Sequence, residues 1–140
     1  MASGLLVNSH VGLEADSSKM IHKGDITRMK IVEKPWGREI WVAHTDRYAF
    51  KIIEFKPGTR SSLQYHVKKH EHIYVDVGNL QMEWENDQGH METLELGPGD
   101  VVEIKPGRSH RVTALANVRL FEVSTPELDD VVRVADDYNR

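Results

Sequence analysis

The sequence predicts an all-β fold, an antiparallel sandwich or barrel that forms a single domain. From Met29 onward the chain changes to short segments in which apolar and polar residues alternate, the pattern of half-buried strands. Glycine- and proline-rich breaks separate these segments at intervals of about 8 to 12 residues, which is typical of sandwiches and barrels. A chain of 140 residues with 39% hydrophobic content is long enough for one core and too short for two full domains.

Nine segments carry this alternation. In chain order they are REIWVAH (38–44), YAFKIIEF (48–55), SSLQYHV (61–67), HIYVDV (72–77), LQMEWEN (80–86), METLEL (91–96), DVVEIK (100–105), HRVTAL (110–115) and VRLFEVS (118–124). The breaks include KPGT, GN, NDQGH, GPGD and KPGRS, in which glycine, proline and asparagine favour turns. Such regular spacing favours an antiparallel arrangement over a βαβ fold.

The two ends of the chain differ from this pattern. Residues 1–28 are rich in Ser, Gly and Asp without periodicity, and we interpret them as a flexible N-terminal arm or as an arm that packs on a partner subunit. The domain is then expected to span 29–140. The C-terminal stretch TPELDDVVRVADDYNR (125–140) is compatible with a short helix, because its first residues suit a cap and a first turn, and equally with a coil.

Composition excludes several classes of function. The formal net charge is −4 and the 18 Lys and Arg residues are scattered, so the chain lacks the basic stripe that binds a nucleic-acid backbone. The absence of cysteine excludes disulfides and thiolate metal sites, so any metal must be held by nitrogen and oxygen. No window approaches the roughly 18 apolar residues of a membrane helix, and the first residues lack the pattern of a signal peptide. We therefore expect a cytoplasmic protein that contacts neither nucleic acid nor membrane.

One stretch concentrates potential metal ligands. LQYHVKKHEHIYVDVG (63–78) places three histidines, a glutamine and a glutamate within nine positions. On a strand, Gln64 and His66 share a face because successive side chains alternate. Glu71 is in step with the apolar residues of the next strand, and a carboxylate that points into a β core is costly unless a positive charge meets it. The stretch therefore indicates half of a metal site, with a solvated turn between two strands as the simpler alternative.

The spacing of these residues resembles the first motif of the cupin superfamily. From Gly58 to Gly78 it reads G-x5-Q-x-H-x4-E-x6-G, and GDVVEIKPGRSH (99–110) is similar to the second cupin motif. The resemblance implies a single-domain cupin jelly-roll barrel that holds a divalent metal, zinc in the first place, with manganese, iron or nickel as alternatives. The ligands that it implies are Gln64, His66, Glu71 and His110.

Each implied ligand also has a simpler interpretation. In the same order, these are a backbone hydrogen bond for Gln64, a core histidine for His66, a surface ion pair with Lys68 or Lys69 for Glu71, and a turn residue for His110.

Most of the chain is similar to the C-terminal isomerase domain of type II phosphomannose isomerases. The matching pieces are KPWGREI (34–40), FKPGTRSSLQYHVKKHEHIYVDVG (55–78), LGPGDVVEIKPGRSHRV (96–112), LFEVSTP (120–126) and DDVVRVADDYNR (129–140). The resemblance implies metal-dependent aldose–ketose isomerisation of a small-molecule sugar phosphate such as mannose 6-phosphate, in which a general base moves a proton between two carbons. The alternatives are another metal-dependent cupin enzyme (an oxygenase, epimerase or lyase) and a non-catalytic sugar or sugar-nucleotide binding cupin. They stay open because Gly107 directly follows a proline, and because Ala114 and Asn139 depart from the family pattern.

The resemblance also implies roles for further residues. The catalytic candidates are Lys69, which stands where the family usually has arginine, Glu122 in LFEVS, and Arg133; the substrate-contact candidates are Arg111, Tyr65 and Tyr138. The alternatives are surface charge for the basic residues, a solvent-facing position for Glu122 and for the competing base Glu103, and core packing for the tyrosines. The sheet edges of such a barrel commonly pair across a twofold axis, which predicts a homodimer.

Overall fold

Residues 26–140 are described by the computed structural model, and they fold into eleven strands. The strands are β1 (Lys30–Lys34), β2 (Gly37–His44), β3 (Ala49–Phe55), β4 (Leu63–Tyr65), β5 (Glu71–Val77), β6 (Leu80–Glu85), β7 (Met91–Leu96), β8 (Val101–Ile104), β9 (His110–Ala114), β10 (Val118–Ser124) and β11 (Val132–Ala135). One antiparallel sheet has the order β1-β2-β3-β10-β5-β8, and the other has the order β11-β4-β9-β6-β7. The predicted all-β, jelly-roll-like fold is therefore confirmed.

The nine predicted segments correspond to β2 through β10. The third segment is shorter than its alternation indicates, because β4 covers only Leu63–Tyr65. The sequence pattern does not predict β1 or β11. Both additional strands lie at the edges of their sheets, where each pairs with only one neighbour.

The core lies between the two sheets. In β3 and β5 nearly every second residue is buried, as the two-residue period of a strand requires. Val75, Leu80 and Met82 have no exposed surface, and full burial of a side chain of this size contributes about 1.5 to 3 kcal/mol. Trp36 stacks on Phe55 with ring centroids 4.1 Å apart, and both belong to the same core.

A tight turn joins β5 to β6 at Gly78. Its φ of 81° lies in the left-handed region, which glycine adopts at no steric cost. A Cβ atom on Gly78 would lie 2.0 Å from the backbone oxygen of Asn117, in the turn between β9 and β10. The final glycine of the first motif therefore allows two turns to approach each other closely.

The C-terminal stretch contains a strand and no helix. Val132–Ala135 forms β11, which pairs with β4 and places Arg133 opposite Gln64. The helical alternative for 125–140 is therefore wrong, and turns and coil occupy the rest of the stretch. The physical reason is that consecutive β-branched valines favour an extended chain and that pairing satisfies the backbone groups at the open edge of β4.

The predicted N-terminal arm, residues 1–28, lies almost entirely outside the described residues, so its interpretation stays a prediction. Between residues 26 and 140 the fold contains no helix that is long and apolar enough to cross a membrane.

Candidate metal centre

A cavity of about 160 Å³ lies between the two sheets. Its wall carries charged side chains from both sheets, together with aromatic and aliphatic ones. Three of its lining residues, Asp129, Arg133 and Arg140, are exposed and lie in the C-terminal segment. The cavity therefore reaches solvent beside β11.

Three predicted ligands converge in the wall of this cavity. His66 follows β4, Glu71 begins β5 and His110 begins β9, and each side chain is at most 5% exposed. One potential ligand atom from each residue lies within 4.8 Å of the other two. The Glu71 carboxylate Oε1 is 3.6 Å from His66 Nε2 and 3.3 Å from His110 Nε2. The interpretation of His110 as a turn residue does not hold, because it is a buried strand residue.

Both imidazoles are oriented by backbone carbonyls. His66 Nδ1 donates to the carbonyl oxygen of Asp130 at 2.5 Å, and His110 Nδ1 donates to that of Arg108 at 3.0 Å. With the proton on Nδ1, the lone pair of each Nε2 points toward Glu71, as in histidines that bind metals. His66 Nε2 is buried and has no hydrogen-bond partner among residues 26–140. A buried nitrogen of this kind is costly unless a ligand meets it, so the donor set fits a divalent cation.

Gln64 completes the group of four predicted ligands. Its Cα lies opposite that of His110 on β9 and that of Arg133 on β11, so the three side chains form one row on the inner face. Gln64 Oε1 accepts a hydrogen bond from Ser62 Oγ at 2.6 Å. The structure thus brings Gln64 to the cavity wall beside His110, and its coordination of a metal stays a prediction.

Lys69 joins the three-ligand cluster to a second carboxylate. Its ammonium lies 2.8 Å from Glu71 Oε2, at an angle unsuited to a hydrogen bond, and donates to Glu122 Oε2 at 3.1 Å. All three side chains are at most 6% exposed. Glu71 therefore does pair with Lys69, but inside the barrel and not on the surface. The solvent-facing interpretation of Glu122 is wrong for the same reason.

Burial and neighbouring charges shift the pKa values of this cluster. Burial would raise the pKa of Glu71, but the adjacent imidazoles of His110 and His66 and the charge of Lys69 lower it well below its usual value. Burial, assisted by the charge of Glu71, raises the pKa of Glu122 to about 7 against the opposing influence of Lys69. Burial would lower the pKa of Lys69, but the charges of Glu122 and Glu71 raise it. The two carboxylates therefore favour the charged form of Lys69 inside the cavity.

Asp130 organises the turn that carries His66. Its carboxylate accepts hydrogen bonds from the backbone N–H groups of Val67, Lys68 and Lys69, at 3.0, 2.6 and 2.9 Å. Because these N–H groups favour the ionised form, they lower the pKa of Asp130 to about 2. The same residue offers its carbonyl to His66, so one position fixes both the turn and the imidazole.

The remaining predicted residues divide into two groups. Arg133 lines the cavity, and among residues 26–140 its guanidinium has no hydrogen-bond or ion-pair partner. Arg111 points away from the cavity and donates to the carbonyls of Ser61 and Ala135. Tyr65 does not line the cavity, and Tyr138 packs against the core. The structure therefore gives no support to the predicted substrate contacts of Arg111, Tyr65 and Tyr138.

The competing base Glu103 lies outside the barrel. It accepts a hydrogen bond from His70 Nε2 at 2.8 Å on an exposed surface, with both side chains about 40% exposed. Sequence reasoning missed Glu39, Trp41 and Lys51, which also line the cavity. The available signal is the alternation in YAFKIIEF, where Lys51 is in step with the buried Ile53 and Phe55.

One family of known proteins matches nearly the whole chain. The family described as "Mannose-6-phosphate isomerase C-terminal" matches residues 14–136. The chain belongs to this mannose-6-phosphate isomerase C-terminal family. The resemblance predicted from the sequence is therefore confirmed, and the match begins within the stretch interpreted as an arm.

Two curated relatives of this family member are larger proteins. The mannose-1-phosphate guanylyltransferase of Escherichia coli (strain K12) is 34% identical over 114 residues, which cover 78% of this chain and 23% of that protein. The xanthan biosynthesis protein XanB of Xanthomonas campestris pv. campestris is 30% identical over 127 residues, which cover 87% of this chain and 26% of that protein. The chain thus spans about a quarter of the length of the curated relatives it matches.

Solved structures share the fold at lower identity. KdgF from Halomonas sp. superimposes with a TM-score of 0.64 and 23% identity, over 72% of this chain and 91% of that chain. Oxalate decarboxylase from Bacillus subtilis superimposes with a TM-score of 0.66 and 18% identity, over 83% of this chain and 32% of that chain. Oxalate decarboxylase from this organism has Mn(II) centres. These likenesses show the jelly-roll fold.

Proposed function

We propose that this domain catalyses the metal-dependent interconversion of an aldose phosphate and a ketose phosphate, with mannose 6-phosphate and fructose 6-phosphate as the first pair to test. The observation that carries the proposal is the buried Lys69 ammonium, held between Glu71 of the metal centre and the Glu122 carboxylate. A charged acid–base pair next to a cation site is what proton transfer between two carbons requires. Membership of a family described by mannose-6-phosphate isomerase supports the choice of sugar.

The proposed ligands are His66, Glu71, His110 and Gln64, which supply nitrogen and oxygen only. Such a set suits zinc, manganese, iron or nickel, and zinc is the ion that we propose first. When bound, the cation supplies Lewis-acid stabilisation of negative charge on the oxygens of the substrate. The unpartnered Nε2 of His66 is the observation that favours an ion at this position.

The proposed base is Glu122. Its carboxylate lines the cavity, is 5% exposed and accepts a hydrogen bond from Lys69. In the proposed reaction the carboxylate takes the proton from C2 of the aldose and returns it to C1. The Lys69 ammonium gives a proton to O1 and recovers one from O2, and its ion pair holds the carboxylate in place. The burial of the pair restricts the access of water, which protects the enediol from side reactions, while the open end of the cavity lets Glu122 exchange its proton with solvent.

The proposed contact for the phosphate lies at the mouth of the cavity. Arg133 is exposed there and has no partner within residues 26–140. Lys34 lines the same cavity from the opposite sheet. Two cations at the solvent end and a cation site at the inner end suit a substrate with phosphate at one terminus and a carbonyl group at the other.

The test is turnover by protein of defined metal content. Metal-free protein is loaded with zinc or manganese under anaerobic conditions and incubated with mannose 6-phosphate in D₂O, and NMR follows fructose 6-phosphate and deuterium at C1. We expect conversion with deuterium incorporation, and a loss of about 10² to 10⁴ in kcat for Glu122→Gln.

Matched variants separate the cavity from the surface. Glu103→Gln removes an exposed carboxylate and Lys68→Met removes the exposed neighbour of Lys69, and both are expected to keep full turnover. Conversion that requires O₂ would count against isomerisation and in favour of an oxygenase. No conversion by metal-loaded protein would count against isomerisation and in favour of a binding domain.

A further inference from the structure

A second ion pair lies in the cavity wall and has no part in the proposed chemistry. Lys51 on β3 donates to Glu39 Oε1 on β2 at 3.0 Å. Their side chains are only 7% and 12% exposed, and both line the cavity. Trp41 Nε1 also donates to Glu39 Oε1, at 3.0 Å. A buried pair of this kind is costly to desolvate, so the question is what it does.

The pair presents an unused acceptor beside unused donors. Both hydrogen bonds to Glu39 end on Oε1, and Oε2 has no partner among the described residues. The Lys51 ammonium has three N–H donors, of which one is used within residues 26–140. Burial would raise the pKa of Glu39, but Lys51 and the indole of Trp41 lower it, so the carboxylate is an acceptor at neutral pH.

The position of the pair matches the middle of a substrate that reaches from the metal centre to the mouth. Lys51 lies directly opposite Glu122 on the neighbouring β10, and opposed residues of this kind have Cα atoms about 5 Å apart. In the sheet order, β10 separates β3 from β5, which carries Glu71, so two strand spacings of about 4.8 Å each lie between Lys51 and the metal centre. A hexose chain that begins at the metal centre is therefore long enough to bring hydroxyl groups to the pair.

We propose that Glu39 and Lys51 form a hydroxyl-binding subsite, in which the carboxylate accepts from one sugar hydroxyl and the ammonium donates to its neighbour. Trp41 is a positioning residue, because its N–H donates to the carboxylate and its ring centroid lies 5.1 Å from Lys51 Nζ. The inference rests on the proposed function in taking a sugar phosphate as the ligand. It adds the part of the site that distinguishes one sugar from another by its C3 and C4 hydroxyl groups.

The experiment removes the partner groups from the protein and from the sugar in turn. Mannose 6-phosphate and its 3-deoxy and 4-deoxy analogues are compared on unmutated protein, Glu39→Gln and Lys51→Met. The readout is the ratio of kcat/KM for each deoxy analogue to that for the parent sugar. This ratio does not depend on the fraction of folded protein, so a variant that is merely less stable gives the ratio of the unmutated domain.

We expect unmutated protein to lose about tenfold to a hundredfold in kcat/KM for at least one deoxy analogue, because a buried polar group is then left unpaired. For the variants, the same analogue is expected to match the parent sugar within about threefold. Asp76→Asn, which disrupts the exposed pair of Asp76 and Arg119, is the control and should keep the unmutated ratio. Equal ratios for the variants and the unmutated protein would mean that the pair is structural, and would overturn the proposal.

Binding of an unreactive analogue separates this inference from the isomerase proposal. Mannitol 6-phosphate and its deoxy forms have no carbonyl group, and calorimetry on zinc-loaded protein measures their Kd. If no sugar phosphate is converted but the variants lose discrimination between these ligands, the subsite stands and the isomerase proposal fails. If sugar phosphates are converted but the variants discriminate between these ligands as the unmutated protein does, the isomerase proposal stands and the subsite proposal fails. If no sugar phosphate is bound or converted, both fail.

Discussion

A single residue, Asp130, controls the orientation of His66. Its carbonyl accepts from the imidazole and its carboxylate accepts from three consecutive backbone N–H groups of the β4–β5 turn. Groups that orient metal ligands typically contribute tenfold to a hundredfold in metal affinity. We expect Asp130→Ala to weaken zinc binding by about that factor, because the turn loses the acceptor that holds it in place.

Competition with a chromophoric chelator measures this affinity. Asp46→Ala, which removes an exposed carboxylate from the β2–β3 turn, is the matched control. An affinity for Asp130→Ala within twofold of the unmutated protein would show that the turn is held without this carboxylate.

The ligand residues could be predicted, whereas their supporting residues could not. His66, Glu71 and His110 fall on spaced motifs, and the strand period of two assigns each a face. Asp130 is 63 positions from the N–H of Val67 that it binds, and nothing in a local pattern links two such distant segments. Lys51 obeys the same alternation as its apolar neighbours, but its partners depend on the order of β2, β3 and β10 in the sheet.

Strand β11 is anchored to the five-stranded sheet by Arg111. The guanidinium donates to Ser61 O at 3.1 Å and to Ala135 O at 3.0 Å, and Arg111 is 7% exposed. Replacement by methionine keeps most of the apolar stem of the side chain and leaves both carbonyls without this donor. We expect Arg111→Met to lower the free energy of unfolding by about 2 to 4 kcal/mol, since hydrogen bonds to a charged group contribute about 1.5 to 3 kcal/mol each before relaxation. Urea denaturation measures the change.

The same variant tests the sequence-based interpretation of Arg111 as a substrate contact. A structural role predicts an unchanged KM for the folded enzyme, whereas a substrate contact predicts a raised KM. Arg47→Met, in the exposed β2–β3 turn, provides the comparison for general effects of losing an arginine. A free energy of unfolding equal to that of the Arg47 variant would contradict the anchoring role.

Internal strands were easier to predict than edge strands. β3 buries every second residue over its seven positions and β5 does so over its first five, because one face of each strand is covered by the opposite sheet. β11 has four exposed residues with three hydrophobic side chains, and so short a run does not distinguish a strand from a helical turn. Its identity is decided by the open edge of β4, a tertiary effect that no window of sequence contains.

For the molecule as a whole, the metal centre links ligand binding to stability. His66, Glu71 and His110 place polar atoms in the interior, and a cation that binds only the folded state stabilises it by mass action. At a hundredfold excess of zinc over Kd the gain is about 2.7 kcal/mol, which corresponds to a rise in Tm of about 10 °C for a domain of this length.

Thermal unfolding with zinc and with EDTA checks this expectation. His66→Ala should abolish the difference between the two curves, and His72→Ala, whose side chain is exposed outside the barrel, should keep it. A zinc-dependent rise in Tm that persists in His66→Ala would place the stabilising ion elsewhere.

The outer face of the six-stranded sheet bears on the predicted homodimer. Tyr74, Val101 and Val123 are 41 to 58% exposed there, beside the rings of Phe50 and Phe121. A contiguous apolar face of this kind favours association. We expect light scattering to give twice the chain mass at micromolar concentration, and Tyr74→Lys to shift the protein toward the monomer.

A matched substitution distinguishes this face from exposed apolar residues in general. Leu115 is 52% exposed but lies in the turn after β9, and Leu115→Lys is expected to leave the oligomeric state unchanged. A monomeric unmutated protein would remove the prediction of a dimer without affecting the metal centre.

The glycine between β5 and β6 limits what protein engineering can do at that end of the barrel. Because a carbonyl oxygen fills the space that a side chain at Gly78 would need, a saturation library at this codon should yield folded protein from the glycine codons alone. At Gly89 a Cβ atom would meet nothing within 4 Å, so a side chain there is opposed only by the left-handed φ of 78°, and fluorophores or inserted peptides are better placed there than at Gly78.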